Sequence, residues 1–437
     1  MNLHFFRNTL IGRHPSVTAF IIAHIAIFAF VFNSGFYADY VIDAFGIFHQ
    51  YAADILNGQL PYRDFAVEYP PVALLLMVIP ALFGDGYASF STAFVAGIIF
   101  IDLLTLVLLA GLSRRLGLTV WKTLAVYTLA LLAVGPIVSL RYDLPVAALT
   151  LLAVFALIVG RNKTAWVVLG LAVMAKLYAV VLVPLFLLWH WRRGEKRALV
   201  HGSLAFGITL AVLSAVPLVI SAGGYIDSFL YHSDRPIQLE SLYASVMLAG
   251  DRLGWWVADT FYSFGSVNVA APGAGFFASY YWLFVGAGLL LVYWLFDRFL
   301  VRTEGVKNKK GERDNARALG LVAFSAAAIT VFMVFNKVLS PQFIIWLLPL
   351  VPLLWRASRL SWVILFVVGW LTAYVYPLHY IELQLGEGAV TWVLLARNVL
   401  LVGLVFTLVR GIMKMKSLDY HGPILQRNGK KFGKSTY

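Results

Sequence analysis

The sequence predicts an all-α protein that crosses a membrane many times. Hydrophobic residues make up 61% of the 437 residues and charged residues only 13%, and the mean hydropathy is +0.82. Apolar runs of nearly 20 residues recur along the chain, which is the length that a helix needs to cross a bilayer. A soluble domain does not have this composition, so we predict a polytopic membrane protein without a soluble domain.

Basic residues predict the orientation of the chain. The net charge is +13, but it lies in short segments between apolar runs, and such segments mark the cytoplasmic side. No soluble domain carries a basic patch, so binding to nucleic acid is not indicated. With the basic segments inside, both termini are cytoplasmic and most acidic residues lie outside. The basic segments are 113–115, 161–163, 192–197, 297–317, 356–359 and the tail 410–437.

This orientation predicts about twelve transmembrane segments, some of them short. Ten apolar runs are predicted to cross once. They are 17–36, 92–112, 120–138, 144–160, 199–220, 277–297, 317–335, 342–355, 361–376 and 390–409.

The segment 165–190 is the exception, because basic clusters that both favour the cytoplasm flank it. It must therefore cross an even number of times, and 26 residues cannot make two full spans. We predict two short helices that turn at Lys176, where a water-filled cavity enters the membrane. The alternative is one long tilted span from which Lys176 extends toward the interface.

The external first loop, 37–91, is the most polar part of the first half of the chain. Within it, residues 44–57 have the apolar spacing of an amphipathic surface helix, which Gly58 can end. Residues 71–83 are apolar but too short to span, and they predict a second surface helix. Acidic polar loops on an apolar scaffold often carry function, although an ordinary surface helix would give the same pattern. A second large external loop is predicted at 221–276.

Several kinds of chemistry have no support in the sequence. The chain has no cysteine, which excludes disulfides and thiolate metal sites. It also lacks a P-loop, a GxGxxG pattern and an HExxH pattern, as well as an Asp-x-Asp pair and a Gly-x-Ser-x-Gly elbow. Nucleotide hydrolysis, dinucleotide redox chemistry and zinc proteolysis therefore have no support.

Four stretches resemble one family. They are Asp43 with the following helix and PYRDFAVEYPP (61–71), RYD (141–143), DRPIQLES (234–241) and KVLSPQF (337–343). Together they resemble integral-membrane glycosyltransferases of the GT-C class, in particular family 87, which contains polyprenyl-phosphate-mannose-dependent mannosyltransferases. The chain departs from the family where Phe48 replaces a frequent tyrosine, and Asp39 competes with Asp43 for the catalytic position.

The resemblance implies a single GT-C domain in the plasma (inner) membrane, with its active site on the extracytoplasmic face. The implied donor is a sugar, here mannose, linked to polyprenyl phosphate and used without a metal or a cofactor. The implied acceptor is a glycolipid or polysaccharide. Inverting transfer needs a carboxylate as general base and cations for the leaving phosphate. Asp43 is the implied base, and Arg141, Lys176 and Lys337 are the implied phosphate ligands. Further implied residues of the site or its support are Asp39, Arg63, Asp64, Glu68, Asp143, Arg235, Glu240, Gln342 and His379.

Simpler interpretations remain open for some of these residues. Asp43 is also suited to capping a helix, Arg63 and Asp64 to stabilising a turn, and Lys176 to a structural pair with Asp102. Two other functional classes are also open. A transporter or lipid flippase can have broken helices, whereas a non-catalytic scaffold would leave Lys176 and Arg397 unexplained.

Overall fold

The computed structural model describes residues 15–37, 45–84, 86–304 and 310–415. Asp39, Asp43 and most of the basic tail 410–437 lie outside the described residues. The first six helices are α1 (Pro15–Ala29), α2 (Gly46–Leu56), α3 (Pro71–Ala81), α4 (Tyr87–Arg115), α5 (Val120–Val134) and α6 (Asp143–Ile158). The remaining helices are α7 (Asn162–Ala175), α8 (Val183–Arg192), α9 (Lys196–Asp234), α10 (Leu242–Arg252), α11 (Ala274–Glu304), α12 (Lys310–Val334), α13 (Arg359–Ala373), α14 (Tyr380–Gln384) and α15 (Val390–Lys414).

The predicted all-α polytopic class is confirmed. In the described part of the chain, seven helices are long and apolar enough to cross a membrane, and five shorter apolar helices accompany them. The seven are Pro15–Asn33, Tyr87–Arg115, Lys196–Asp234, Ala274–Glu304, Arg313–Val334, Arg359–Leu378 and Val390–Lys414. The shorter ones are Pro71–Ala81, Val120–Val134, Asp143–Ile158, Asn162–Ala175 and Leu177–Arg192.

Helix α12 forms the centre of the bundle. The apolar stretch of α12 is 94% buried, far more than that of any other long helix. Helices α11 and α15 pack along it, and α13 packs between α15 and α5. On the other side, α6, α7 and α9 form a consecutive row, with α6 packed on α7 and α7 on α9.

The first loop contains the two predicted short helices. Helix α2 is followed by Gly58, whose φ of +86° suits a residue without a side chain. Helix α3 has 11 residues, so it is about 16 Å long and cannot span a bilayer core. The two helices pack against each other and α3 also packs on α4.

The chain breaks at Lys176, as predicted. Helix α7 ends at Ala175, Lys176 is extended with φ −161° and ψ 126°, and a 3₁₀ turn at Leu177–Leu182 leads into α8. Pro184 near the start of α8 lacks an N–H and fits the first turn of a new helix. The alternative of one long tilted span is therefore wrong.

The predicted span 342–355 is wrong in its secondary structure. The chain forms two 3₁₀ segments there, Pro341–Leu347 and Val351–Leu354, each with proline near its start. Most of their side chains are buried against α5, α6, α12 and α13. Irregular backbone is tolerated at membrane depth only where protein surrounds it, and hydropathy cannot distinguish such a segment from a lipid-facing span.

The second large loop is more ordered than the sequence indicates. Helix α9 continues past the predicted span 199–220 to Asp234, with a kink at Ser221, where φ is −160° and ψ is 96°. Helix α10 follows, and then an antiparallel hairpin forms from β1 (Asp259–Ser263) and β2 (Ser266–Ala270). The two residues of its turn, Phe264 and Gly265, have φ angles of 51° and 65°. Tight two-residue hairpin turns favour this left-handed backbone conformation at both positions.

The loops and the basic segments lie at opposite ends of the bundle. At one end, which we call the first-loop end, Gly224 of the α9 extension lies so close to Tyr62 O that no Cβ would fit, and Thr260 donates a hydrogen bond to Gln384 O. At the other end, Arg115 donates to Asn315 and Arg192 pairs with Asp297. This separation agrees with the orientation that the basic residues predict.

We expect the first-loop end to face the outside of the cell. The chain contains no cysteine, so Gln59→Cys and Tyr262→Cys each introduce a single thiol at that end, the latter at a side chain that is 75% exposed. Both variants should react with a membrane-impermeant maleimide in intact cells. Lys163→Cys, at the basic end, should react only after permeabilisation. The opposite labelling pattern would contradict the orientation.

Candidate active site

The site is built around a buried ion pair between Lys176 and Asp143. Lys176 Nζ lies 2.6 Å from Asp143 Oδ1. The Asp143 side chain is 1% exposed and the Lys176 side chain 18%. Because α7 stops at Ala175, the extended Lys176 can direct its side chain toward the first residue of α6, which is Asp143. The helix break and the ion pair therefore form one feature.

Aromatic rings surround the lysine. Lys176 Nζ lies 4.8 Å from the ring centroid of Tyr142 and 5.4 Å from those of Phe343 and Trp346. Trp346 also donates its indole N–H to Asp143 Oδ1 at 2.6 Å and stacks on Tyr178 with centroids 3.9 Å apart. Desolvated cation–π contacts contribute about 2 kcal/mol each, so these rings help to hold the ammonium away from bulk water.

Two polar groups beside the lysine have no hydrogen-bond partner among the described residues. They are Asp143 Oδ2 and the Tyr142 hydroxyl, both buried. Buried polar atoms are nearly always satisfied in proteins, and exceptions often mark ligand or water positions. The interior of the bundle therefore presents one carboxylate oxygen and one hydroxyl that a bound polar molecule could satisfy.

Arg141 is the second cation of the site. It follows the one-turn helix Ile137–Leu140 in an extended conformation, directly before Tyr142 and Asp143. Its positive charge acts on Lys176 and on the Tyr376 hydroxyl. Two of the predicted phosphate ligands, Arg141 and Lys176, thus lie close together with Asp143.

The first loop packs onto this site through aromatic residues. Phe48 of α2 makes edge contacts with Tyr69 and Tyr142, at 6.2 Å and 5.7 Å between centroids. Burial, together with the neighbouring Glu68 carboxylate, raises the pKa of Tyr69 well above its usual value. His232 donates from Nε2 to Glu68 O at 3.0 Å. The loop is therefore held between α9 and the Tyr142 side of the site.

Gln238 joins two of the stretches on which the family resemblance rests. Its backbone N–H donates to Lys337 O at 3.0 Å, and its side-chain oxygen accepts from the Leu339 N–H at 2.8 Å. Its side-chain amide donates more weakly to Ser340 Oγ, at 3.4 Å. DRPIQLES and KVLSPQF, about one hundred residues apart, are thus in direct contact, and the second continues into Phe343 and Trp346 over the lysine.

Glu240 lies in a buried ion pair with Arg397 of α15. Arg397 Nη1 is 3.4 Å from Glu240 Oε1, and Arg397 Nη2 donates to Glu240 O at 2.5 Å. Burial raises the pKa of Glu240 to about 7, although the Arg397 charge acts in the opposite direction. The partner of Arg397, which sequence reasoning could not assign, is therefore Glu240.

Lys337 occupies a different environment from Lys176. Its ammonium donates to Ser233 O at 2.6 Å and to Ala278 O at 3.5 Å, and it lies 5.0 Å from the ring centroid of Tyr281. The side chain is almost fully buried, and burial lowers the pKa of Lys337. Binding of phosphate by Lys337 would require it to exchange these carbonyl partners.

Other predicted residues lie in more peripheral positions. Arg63 and Asp64 form an exposed pair, 2.8 Å from Nε to Oδ1, and Asp64 also accepts the Leu60 N–H. Their mutual contact lowers the pKa of Asp64. Arg235 donates a hydrogen bond to Ser266 Oγ, and His379 pairs with Glu382. Gln342 lies in the 3₁₀ segment immediately before Phe343.

The alternative pairing of Lys176 with Asp102 is wrong. Asp102 Oδ2 lies 2.6 Å from His24 Nδ1, and Asp102 Oδ1 accepts a hydrogen bond from Tyr127 at 2.7 Å. Asp102 and His24 are fully buried. This cluster joins α1 to α4 and α5, so a charge inside one span is satisfied by residues of two neighbouring spans.

Sequence reasoning missed the aromatic and tyrosine members of the site. Tyr142, Phe343 and Trp346 contact Lys176, and Tyr376 is subject to the charge of Arg141. Of these, Phe343 ends the KVLSPQF stretch, but its contact with the lysine was not predicted. A usable signal existed for Tyr142, which lies inside the RYD stretch. For Trp346 the only signal was its position shortly after the KVLSPQF stretch.

A separate polar groove lies away from these residues. Its volume is about 330 Å³, and it lies between the end of α10, strand β1 and the turn before α15. None of the predicted site residues lines it. Among the described residues we also find no group of three or more histidine and carboxylate side chains that could hold a metal ion.

The fold and the interior polar site define a polytopic membrane protein in which buried charged side chains lie where helices are interrupted. The family model described as Glycosyltransferase family 87 matches residues 67–277 of the chain. Over this range, which is just under half of the chain, the chain is similar to family 87 glycosyltransferases. The matched range contains Glu68, Arg141, Asp143, Lys176, Arg235 and Glu240, whereas Asp43 and Lys337 lie outside it. No curated protein sequence matches the chain.

We expect Lys176→Met to destabilise the protein by about 3–5 kcal/mol, because it leaves the Asp143 carboxylate buried without its ion-pair partner. Adding Asp143→Asn should restore most of the loss, since no unpaired charge then remains and the asparagine oxygen can still accept from Trp346. Thermal unfolding in detergent measures both effects. Adding Asp102→Asn to Lys176→Met is the matched control and should restore nothing. If adding Asp102→Asn restores the stability and adding Asp143→Asn does not, the pairing of Lys176 with Asp143 is wrong.

Proposed function

We propose that this glycosyltransferase moves a sugar, mannose in the first instance, from a polyprenyl phosphate to a glycolipid or polysaccharide acceptor. The reaction takes place on the extracytoplasmic face of the plasma (inner) membrane and inverts the anomeric centre. It needs no metal or cofactor, because the cations of the chain stabilise the leaving phosphate. The basic end of the bundle faces the cytoplasm under this proposal.

The observation that supports this proposal most directly is the Arg141, Asp143 and Lys176 cluster at the break after α7. Of the charges that act on Lys176, Arg141 is positive and Asp143 is negative, so the three groups together carry a net positive charge. A phosphodiester carries one negative charge and would balance it. The surrounding aromatic rings and the membrane keep water away, which strengthens the interaction of the cations with a phosphate.

Charge develops on the phosphate as the reaction proceeds. The acceptor hydroxyl oxygen attacks the anomeric carbon, its proton passes to the Asp43 carboxylate, and the bond between that carbon and the phosphate oxygen breaks. The electron pair of that bond remains on the phosphate, which changes from a monoanion to a dianion. Arg141 and Lys176 therefore interact more strongly with the transition state than with the bound donor, which is the condition for a rate effect.

A transporter or flippase is the alternative, because broken helices also occur in secondary carriers. The family match favours transfer over transport. The two orphaned oxygen-bearing groups, Asp143 Oδ2 and the Tyr142 hydroxyl, also fit a site that binds a polar sugar or phosphate group. A flippase would move the lipid-linked sugar across the bilayer without breaking its phosphate bond.

Transfer in liposomes tests the proposal. The purified protein is reconstituted with polyprenyl phosphate that carries radiolabelled mannose, glucose or arabinose, together with a crude membrane glycolipid fraction. We expect label to move from the polyprenyl phosphate to the acceptor in the presence of EDTA, with mannose as the best donor. Movement of the intact donor between leaflets without transfer would support the flippase instead.

The same assay tests the general base. Asp43→Asn should lower turnover by about 10²–10⁴, the usual contribution of a positioned base, while binding of the donor is retained. Asp39→Asn is the matched control, since it removes a neighbouring carboxylate from the same loop. If Asp39→Asn abolishes transfer and Asp43→Asn leaves it unchanged, Asp39 is the base.

The Lys176→Met/Asp143→Asn double variant tests the phosphate site, since its stability should be close to that of the wild type. We expect its turnover to be lower by at least tenfold, with a smaller change in the affinity for the donor. Wild-type turnover in this variant would show that the ion pair is structural only.

A further inference from the structure

We propose that Arg397 is a positioning residue that holds the phosphate-binding cluster in place from outside it. The proposal rests on the transferase function proposed above. Arg397 lies in α15, beyond the matched family segment, and it makes no direct contact with Arg141 or Lys176 in the described hydrogen bonds. It acts on them through the 235–241 segment.

Arg397 is fully buried and forms a dense set of hydrogen bonds with that segment. It contacts both the carboxylate and the main-chain oxygen of Glu240, and it donates from Nε and Nη2 to its neighbour Asn398 at 3.1 Å and 2.9 Å. Asn398 in turn donates to Glu240 O and Ser241 O at 3.2 Å and 3.1 Å. Two adjacent residues of α15 therefore fix the main chain at positions 240 and 241.

The first route from this anchor leads to Lys176. The anchored residues are close to Gln238 in the chain. Gln238 bonds to the main chain at Lys337 and Leu339, and more weakly to the Ser340 hydroxyl. Residues 337–340 continue directly into the 3₁₀ segment Pro341–Leu347, which carries Phe343 and Trp346. Both rings lie over the Lys176 ammonium, and Trp346 also bonds to Asp143.

A second route leads to Arg141. The Glu240 carboxylate and the Arg141 guanidinium both act electrostatically on the Tyr376 hydroxyl. Tyr376 is thus subject to the charges of both Arg141 and Glu240, and Glu240 is itself paired with Arg397. Both cations of the phosphate site are therefore connected to the same buried pair.

The energetics favour a positioning function over a purely stabilising one. Desolvation of both charges offsets most of the Coulomb attraction in a buried ion pair, and replacing such a pair with apolar residues is often neutral for stability. What an apolar pair cannot supply is the directed set of hydrogen bonds from a planar guanidinium to two oxygens of Glu240 and to Asn398. We therefore infer that Arg397 fixes the main-chain geometry of the 235–241 segment.

The test uses the full-length protein with Arg397→Met, Glu240→Met and the double variant. Each single variant leaves one buried charge unpaired and should be destabilised, whereas the double variant should unfold near the wild-type temperature. The double variant should nevertheless show about 10²-fold lower kcat, as expected for a misplacement of about 1 Å, with a nearly unchanged KM for the acceptor. Arg192→Met/Asp297→Met removes an ion pair at the basic end and is the matched control, with turnover within about twofold of the wild type.

Hydrogen–deuterium exchange gives a readout that does not depend on the substrate. In the double variant, amides in 235–241 and 337–346 should exchange faster, while those of α12 should not change. Wild-type protection together with wild-type turnover would overturn the proposal. If the wild type transfers no sugar from any polyprenyl phosphate, the proposed function fails, but the exchange data still decide the role of Arg397. If the double variant does not fold, Arg397→Lys is used instead, because it keeps the charge and removes the planar guanidinium. It should show the same loss of kcat and the same faster exchange.

Discussion

Every main-chain polar group at membrane depth must be hydrogen-bonded by protein or by enclosed water, and this requirement determines where the chain can leave the helical conformation. The chain does so at Lys176 and again at Pro341–Leu354, and both places lie in the interior of the bundle. The two breaks also lie against each other, because Trp346 from the second contacts the lysine at the first. The polar site is therefore located where the fold can accommodate irregular main chain.

The sequence was sufficient to predict most helices and the break at Lys176, because helix length and charge asymmetry are local properties. It was not sufficient to predict the partners of buried charges. Lys176 pairs with Asp143, 33 residues earlier, and Trp346 reaches the same carboxylate across 203 residues. Which spans are neighbours depends on packing of side chains that all look apolar in the sequence. For the same reason Asp102 was weighed as a partner for Lys176, although His24 and Tyr127 satisfy it.

Packing also explains the other differences. Residues 342–355 have the hydropathy of a span, but proline interrupts helical bonding and surrounding helices replace lipid. The hairpin β1–β2 was missed because its alternation is short and aromatic residues occur on both faces. The family resemblance supplied something that hydropathy could not, since two of its stretches proved to be in contact through Gln238. The base assignment among Asp39 and Asp43 stays a prediction.

Helix α9 has a consequence for how the enzyme responds to its surroundings. Only 6% of its apolar stretch is buried, so lipid is the main solvent for a helix that is held on one side by α7. Its extension beyond Ser221 carries Gly224 against Tyr62 and His232 against Glu68. A helix longer than the local hydrocarbon thickness adapts by tilting. A change in the tilt of α9 would move the residues of α9 that contact the first loop. We therefore expect the contacts between α9 and the first loop to depend on the thickness of the bilayer.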